Sequence, residues 1–128
     1  MLSWALPFMI LSTAAAAPGT FEKATDRNHD GKIDTWTTYD TKGNVKVVAI
    51  DSKRQDGKPD YWKYYRNGKI VKREWDRNFD GKPDLQVLEE NSRLIETQYD
   101  NNFDGKFEKT VKAPAKGSVI SVKTSNER

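Results

Sequence analysis

One nonapeptide, written four times, constrains this chain more than any other feature. Its copies are Asp26-Arg-Asn-His-Asp-Gly-Lys-Ile-Asp34, Ser52-Lys-Arg-Gln-Asp-Gly-Lys-Pro-Asp60, Asp76-Arg-Asn-Phe-Asp-Gly-Lys-Pro-Asp84 and Asp100-Asn-Asn-Phe-Asp-Gly-Lys-Phe-Glu108. The glycines Gly31, Gly57, Gly81 and Gly105 follow one another at 26, 24 and 24 residues. A unit this short cannot bury a hydrophobic face alone, so neighbouring units must pair or stack. Each copy carries Asp-Gly-Lys at its centre, which is turn chemistry, so the copies are loops and the regular structure lies between them.

The intervening segments read as β-hairpins. Thr35–Tyr39 and Val45–Ile50 flank Thr41-Lys-Gly-Asn44, Tyr61–Tyr65 and Ile70–Trp75 flank Asn67-Gly68, and Leu85–Leu88 and Leu94–Tyr99 flank Asn91-Ser92. These runs are rich in β-branched and aromatic residues and bounded by turn formers. Asn67-Gly68 is the clearest hairpin signal, because a type I′ turn needs positive φ at both central residues. A final strand is expected at Lys109–Lys112. The fold class that follows is all-β: an antiparallel hairpin repeat, as a meander or ladder, with calcium-binding loops between hairpins and a signal peptide in front. Alternation pairs Trp62 with Tyr64, Val71 with Trp75 and Ile95 with Tyr99 on shared faces, which predicts a thin aromatic core.

Composition agrees with a thin core. In 128 residues only 35% are hydrophobic and 32% are charged, with a mean hydropathy of -0.90. Residues 1–16 differ from the rest, carrying no charge and an apolar run from Leu2 to Leu11 before Ala14 and Ala16. That pattern predicts a secretory signal peptide cleaved after Ala16, and the run is too short to span a bilayer. Residues 17–25 read as an N-terminal linker and 26–112 as the repeat domain. Residues 113–128 read as a tail in which Val119-Ile-Ser-Val122 offers an additional edge strand. The chain has no cysteine, which excludes disulfides, thiolate metal sites and a lipobox anchor. A secreted or periplasmic location without a transmembrane span in the mature chain is the expectation. The net charge of +3 is too small and too interleaved to argue for a nucleic-acid partner.

The loops carry the chemistry. Oxygen side chains recur at positions one, three, five and nine, and glycine at position six permits the sharp turn. Position seven would turn a backbone carbonyl inward, which leaves the ammonium groups of Lys32, Lys82 and Lys106 free to point outward. A hard, flexible oxygen shell selects Ca²⁺ over Mg²⁺. The pattern resembles the Asp-x-Asx-x-Asp-Gly-x-x-Asp calcium loops of EF-hands, dockerins, thrombospondin type 3 repeats and the FG-GAP loops of integrins. That resemblance implies as ligands Asp26, Asn28, Asp30 and Asp34; Asp76, Asn78, Asp80 and Asp84; and Asp100, Asn102, Asp104 and Glu108, with the carbonyls of Lys32, Lys82 and Lys106. It departs from a true EF-hand at position twelve, where Thr37, Val87 and Val111 replace the bidentate glutamate. The nine-residue integrin-like form, set between strands, fits better. The second copy breaks the pattern with Ser52 and Arg54 at positions one and three, so it should bind calcium weakly through Asp51 or not at all. Arg54 is placed to pair with Asp56 and Asp60 instead.

Other readings are narrower. Trp36, Trp62, Tyr64, Tyr65, Trp75 and Tyr99 could form a carbohydrate-stacking stripe, but a chain poor in Leu and Ile needs them as core. His29 is the one histidine and sits at loop position four, facing away from the ion. The carboxylates are explained as ligands by their repeat, so no acid/base pair of glycosidase type is needed, and no nucleophile and base set points to an enzyme. The expected role is a calcium-stabilised β-repeat protein with structural, binding or adhesive work, its partner an envelope or extracellular protein or glycan. The alternative is a carbohydrate- or cell-envelope-binding module using exposed aromatics.

Overall fold

The computed structural model describes residues 19–114, in which eight strands follow in chain order. They are β1 (Phe21–Thr25), β2 (Thr35–Tyr39), β3 (Val45–Ile50), β4 (Tyr61–Arg66), β5 (Lys69–Trp75), β6 (Leu85–Glu90), β7 (Arg93–Tyr99) and β8 (Lys109–Lys112). All pair antiparallel with their sequence neighbours in one open sheet of order β1 to β8. Among the described residues, strands that are not neighbours make no contact, so β1 and β8 are the outer strands of the described sheet. The signal peptide and the additional strand at Val119–Val122 lie outside the described residues. No helix among the described residues is long and apolar enough to cross a membrane.

The acidic loops all lie at one end of the strands and the tight turns at the other. At the turn end, Asn67 (φ 51) with Gly68 (φ 77), and Asn91 (φ 51) with Ser92 (φ 63), take the left-handed conformation that two-residue hairpins require. These turns hold only two residues, so Arg66 pairs with Lys69 and Glu90 with Arg93, and the strands run further than their apolar residues alone predict. In the first hairpin Asp40 accepts the amides of Lys42 and Asn44, both at 2.9 Å. Each hairpin carries a bulge at the same place, leaving Lys46, Val71 and Ile95 without a partner across the strand. The alternation expected to put Val71 with Trp75 and Ile95 with Tyr99 is therefore interrupted. Trp62 and Tyr64 share a face as expected, opposite Ala49 and Val47.

Two expectations are corrected. The stretch 17–25, read as a linker, contains β1, whose Glu22 and Lys23 disguise an edge strand as polar linker. The aromatic core is not a core either. Among the described residues no hydrophobic side chain is buried, and the buried set is Asp34, Thr35, Asp51, Asp60, Glu74, Asp76, Asp84 and Asp100. The reason is geometric: among the described residues the sheet has no second layer to press against either face. Its side chains cover one another in rows instead. Thr25, Thr35, Ile50, Tyr61, Trp75, Leu85, Tyr99 and Lys109 form the row beside the acidic loops, with Tyr61 and Trp75 stacked at 4.9 Å. On the opposite face the Tyr64 hydroxyl donates to Glu74 at 2.8 Å, and Lys72 reaches both Glu74 (2.8 Å) and the Tyr64 ring (4.2 Å). Burial first, and the Glu74 carboxylate second, raise the Tyr64 hydroxyl above the ordinary phenol range.

Candidate metal centre

The antiparallel ladder continues one step beyond the strands, into the acids. Asp34, Asp60, Asp84 and Glu108 donate their amides to the carbonyls of Thr25, Ile50, Trp75 and Tyr99 at 2.8–3.0 Å. Asp51, Asp76 and Asp100 donate to the carbonyls of Asp34, Asp60 and Asp84 at 2.9–3.0 Å. Eight acids, Asp26 to Glu108, thus stand side by side, one per strand, along one end of the sheet. Strand spacing in a sheet is about 4.8 Å, close enough for bare carboxylates to repel strongly. Asp34, Asp51, Asp60, Asp76, Asp84 and Asp100 of this row are buried, which requires that their carboxylates be matched by donors.

The loops supply them by one rule. The first acid takes the amides of positions five and six: Asp26 those of Asp30 (3.2 Å) and Gly31 (2.6 Å), Asp76 those of Asp80 (3.2 Å) and Gly81 (2.7 Å), Asp100 those of Asp104 (3.1 Å) and Gly105 (2.8 Å). The ninth acid reaches back to the opening of the loop. Asp34 accepts from Arg27 (3.1 Å) and Asn28 (3.2 Å), Asp84 from Arg77 (2.8 Å) and Asn78 (3.3 Å), and Glu108 from Asn101 (2.6 Å). The fifth acid takes the amide of the lysine at position seven, at 2.9, 2.8 and 2.9 Å for Lys32, Lys82 and Lys106. That bond comes first among the causes that lower the Asp80 carboxyl below its ordinary value. For Asp34 the lowering is led by the Thr35 hydroxyl, which donates at 2.6 Å. Turning so many amides inward requires positive φ at position four as well as at the glycine. His29 (63°), Phe79 (61°) and Phe103 (59°) all adopt it and all are exposed.

The second loop obeys the same rule with one extra residue. Asp51 takes the place of Asp26, accepting from Gln55 (2.8 Å) and Gly57 (2.7 Å), and Asp60 accepts from Ser52 (3.0 Å) and Lys53 (2.9 Å) and from the Ser52 hydroxyl. Arg54 lies 3.7 Å from Asp56 and 5.1 Å from the Phe79 ring centre in the next loop. The partners of Asp60 are Ser52 and Lys53 rather than Arg54.

The three complete loops then diverge. In the fourth, one carboxylate oxygen from each of Asp100, Asp104 and Glu108 lies within 4.8 Å of the others. Oxygens on opposite sides of a calcium ion stand up to about 5 Å apart, so this trio fits a hard cation. Asn102 lies within the same loop with its side-chain oxygen turned to the Asp104 amide at 3.3 Å. In the third loop the Arg77 guanidinium closes on Asp84, its Nε bonded to the carboxylate and its NH2 donating to the Asp84 carbonyl at 3.2 Å. Asn78 turns its amide nitrogen toward Asp80 at 3.2 Å, the reverse of a ligating pose. In the first loop the Asn28 amide nitrogen reaches across to Gln55 at 3.1 Å. Among the described residues, neither Asp26, Asp30 and Asp34 nor Asp76, Asp80 and Asp84 form a second close trio.

The loops differ at position nine, which is Asp34, Asp84 and Glu108, and in the side chain at position two. Position two is Arg27, Arg77 and Asn101 in the three loops. The one loop without a cation there is the one whose carboxylates converge. No protein-family model matches this chain, and no curated protein and no solved structure matches it.

Proposed function

We propose that this chain is a secreted or periplasmic calcium-binding β-repeat protein, not an enzyme, in which Ca²⁺ held by the acidic loops stiffens a sheet that lacks a hydrophobic core. The observation that carries this reading is the convergence of Asp100, Asp104 and Glu108 at the sheet's acidic end. A row of acids matched only by loop amides gains most from a divalent cation where no side-chain cation is at hand. Calcium sites of extracellular modules work at about 10⁻⁴–10⁻³ M, levels that suit the compartment implied by an N-terminal signal peptide. The resemblance to calcium loops supports the same role for the ligand sets of the first and third loops, with the fourth filling first. Thermal melting of metal-free protein with and without Ca²⁺, with Mg²⁺ as control, tests this. A rise specific to Ca²⁺ supports it, and identical melting curves in all three conditions contradict it.

A second reading is favoured by one observation, the absence of any buried hydrophobic side chain among the described residues. Aromatics that pack against no second layer remain available for stacking on a sugar ring or an envelope component. The bulged Lys46, Val71 and Ile95 join Val47, Tyr64 and Leu88 in lining an open concavity of about 950 Å³. Binding on a glycan array that is lost in Tyr64→Ala would establish this role, and an array without signal would remove it.

A further inference from the structure

Two phenyl rings on the acidic loops sit where the backbone least welcomes them. Position four takes positive φ in every loop, and its residues are His29, Gln55, Phe79 and Phe103. Short polar residues such as asparagine tolerate that conformation best, and a phenyl ring gains nothing from it. Yet Phe79 is 37% exposed and Phe103 is 42% exposed. Their loops are neighbours along the sheet, with centres two strand spacings apart, or about 10 Å. Paired aromatic rings held open to solvent mark a surface that meets an apolar phase. The described chain enters and leaves at the opposite end of the sheet, where Gly19 lies beside Thr41 and Arg93 donates to the Pro114 carbonyl at 2.9 Å.

Charge says which apolar phase. Eight Lys and Arg side chains lie in the four loops and all are exposed, with Arg54 standing 5.1 Å from the Phe79 ring centre. The carboxylates sit deeper, and six of the twelve in these loops are buried. Twelve carboxylates against eight cations give the metal-free loops a net charge of −4, which repels an anionic surface. One Ca²⁺ in the fourth loop brings this to −2, and ions in all three complete loops bring it to +2, with the cations outermost. Resting on the calcium reading above, we propose that calcium binding docks the acidic-loop end on an anionic phospholipid bilayer, with Phe79 and Phe103 entering the headgroup layer. The rings supply apolar contact, and the surrounding Lys and Arg side chains meet lipid phosphates.

Co-sedimentation with vesicles of about one-third phosphatidylglycerol in phosphatidylcholine tests this, on protein purified from cells expressing the full chain, in about 1 mM Ca²⁺ or in EDTA. The expected result is binding that needs both Ca²⁺ and phosphatidylglycerol and is absent from vesicles of phosphatidylcholine alone. The double variant Phe79→Asn, Phe103→Asn should bind at least about tenfold more weakly. Asparagine accepts positive φ more readily than phenylalanine, so the variant should keep its circular dichroism spectrum and its calcium-dependent rise in melting temperature. A melting rise with no vesicle binding overturns the docking and leaves the calcium reading standing. No melting rise removes the calcium reading and the docking with it. Vesicle binding that persists in EDTA, or that ignores the double substitution, also overturns the proposal, because adsorption through the basic side chains alone would then explain it.

Discussion

The third and fourth acidic loops differ little in sequence and close in opposite ways. Both begin Asp-x-Asn-Phe-Asp-Gly-Lys, both bury their first acid, and both feed two loop amides to it. At position two one has Arg77 and the other Asn101. With arginine, the ninth acid is bound by a guanidinium supplied from within the chain. With asparagine, the ninth acid turns toward the first and fifth and leaves three carboxylates facing one another. A cluster of carboxylates gains from a counter-charge, which Arg77 supplies to Asp84 in the third loop and which, under the proposed function, a cation would supply in the fourth. The motif specifies a backbone shape that concentrates amides and carboxylates, and the side chains at positions two and nine, Arg77 and Asp84 against Asn101 and Glu108, distinguish the two loops.

The largest effect should come from removing what both loops share. Asp76 and Asp100 are 4% and 2% exposed, and replacing either by alanine strands two loop amides without an acceptor. Asp76→Ala and Asp100→Ala should each lower stability by about 2–4 kcal/mol, read from urea denaturation midpoints. Equal losses in metal-free buffer, with a larger loss for Asp100→Ala when calcium is present, would sharpen the contrast. A second test exchanges the residue at position two. Arg77→Asn should cost about 1–2 kcal/mol without metal, because Asp84 loses its partner, and should tighten calcium binding at the third loop. Titration calorimetry resolves the binding steps, and an affinity unchanged from the unmodified chain would break the comparison.

Turn geometry gives a smaller effect at the other end of the sheet. Asn67→Ala puts a Cβ at φ 51 without the polar side chain that makes asparagine tolerant of this conformation, costing about 1 kcal/mol in the melting transition. The smallest effect is electrostatic. Asp34 is held below its ordinary carboxyl value, chiefly by Thr35, so its contribution is present above the unfolded value of 3.8 and is lost as pH falls through the folded value. Thr35→Val should raise the Asp34 pKa in an NMR titration and leave the neutral-pH fold intact. A pKa that stays low would mean that the amides of Arg27 and Asn28 suffice.

Much of this arrangement is legible in the chain itself. Loops with Asp-Gly and hairpins with Asn-Gly are local decisions, written in residues that tolerate positive φ, and Thr35–Tyr39, Val45–Ile50 and Lys109–Lys112 form as their composition predicts. β1 was hidden because an edge strand with one wet side and alternating charges looks like linker. The missing core was hidden for a different reason: half-apolar strands imply a buried face, but only the presence of a second layer makes one, and nothing in a single hairpin tells whether that layer exists. At the site, the acids at positions one, five and nine announce themselves by spacing. The role of Arg77 does not, since an arginine beside an aspartate in sequence is as often solvated as paired, and only the loop's curl brings it onto Asp84.

The most direct test of calcium as the missing counter-charge is a paired melting experiment on the unmodified chain and Asn101→Arg, each with and without about 10 mM Ca²⁺. With a dissociation constant of about 10⁻⁴–10⁻³ M, calcium should stabilise the unmodified chain by about 1–3 kcal/mol, or roughly 5–15 °C. Asn101→Arg should melt higher than the unmodified chain in metal-free buffer and lose most of the calcium response. A calcium shift of the same size in both proteins, or none in either, would contradict the account.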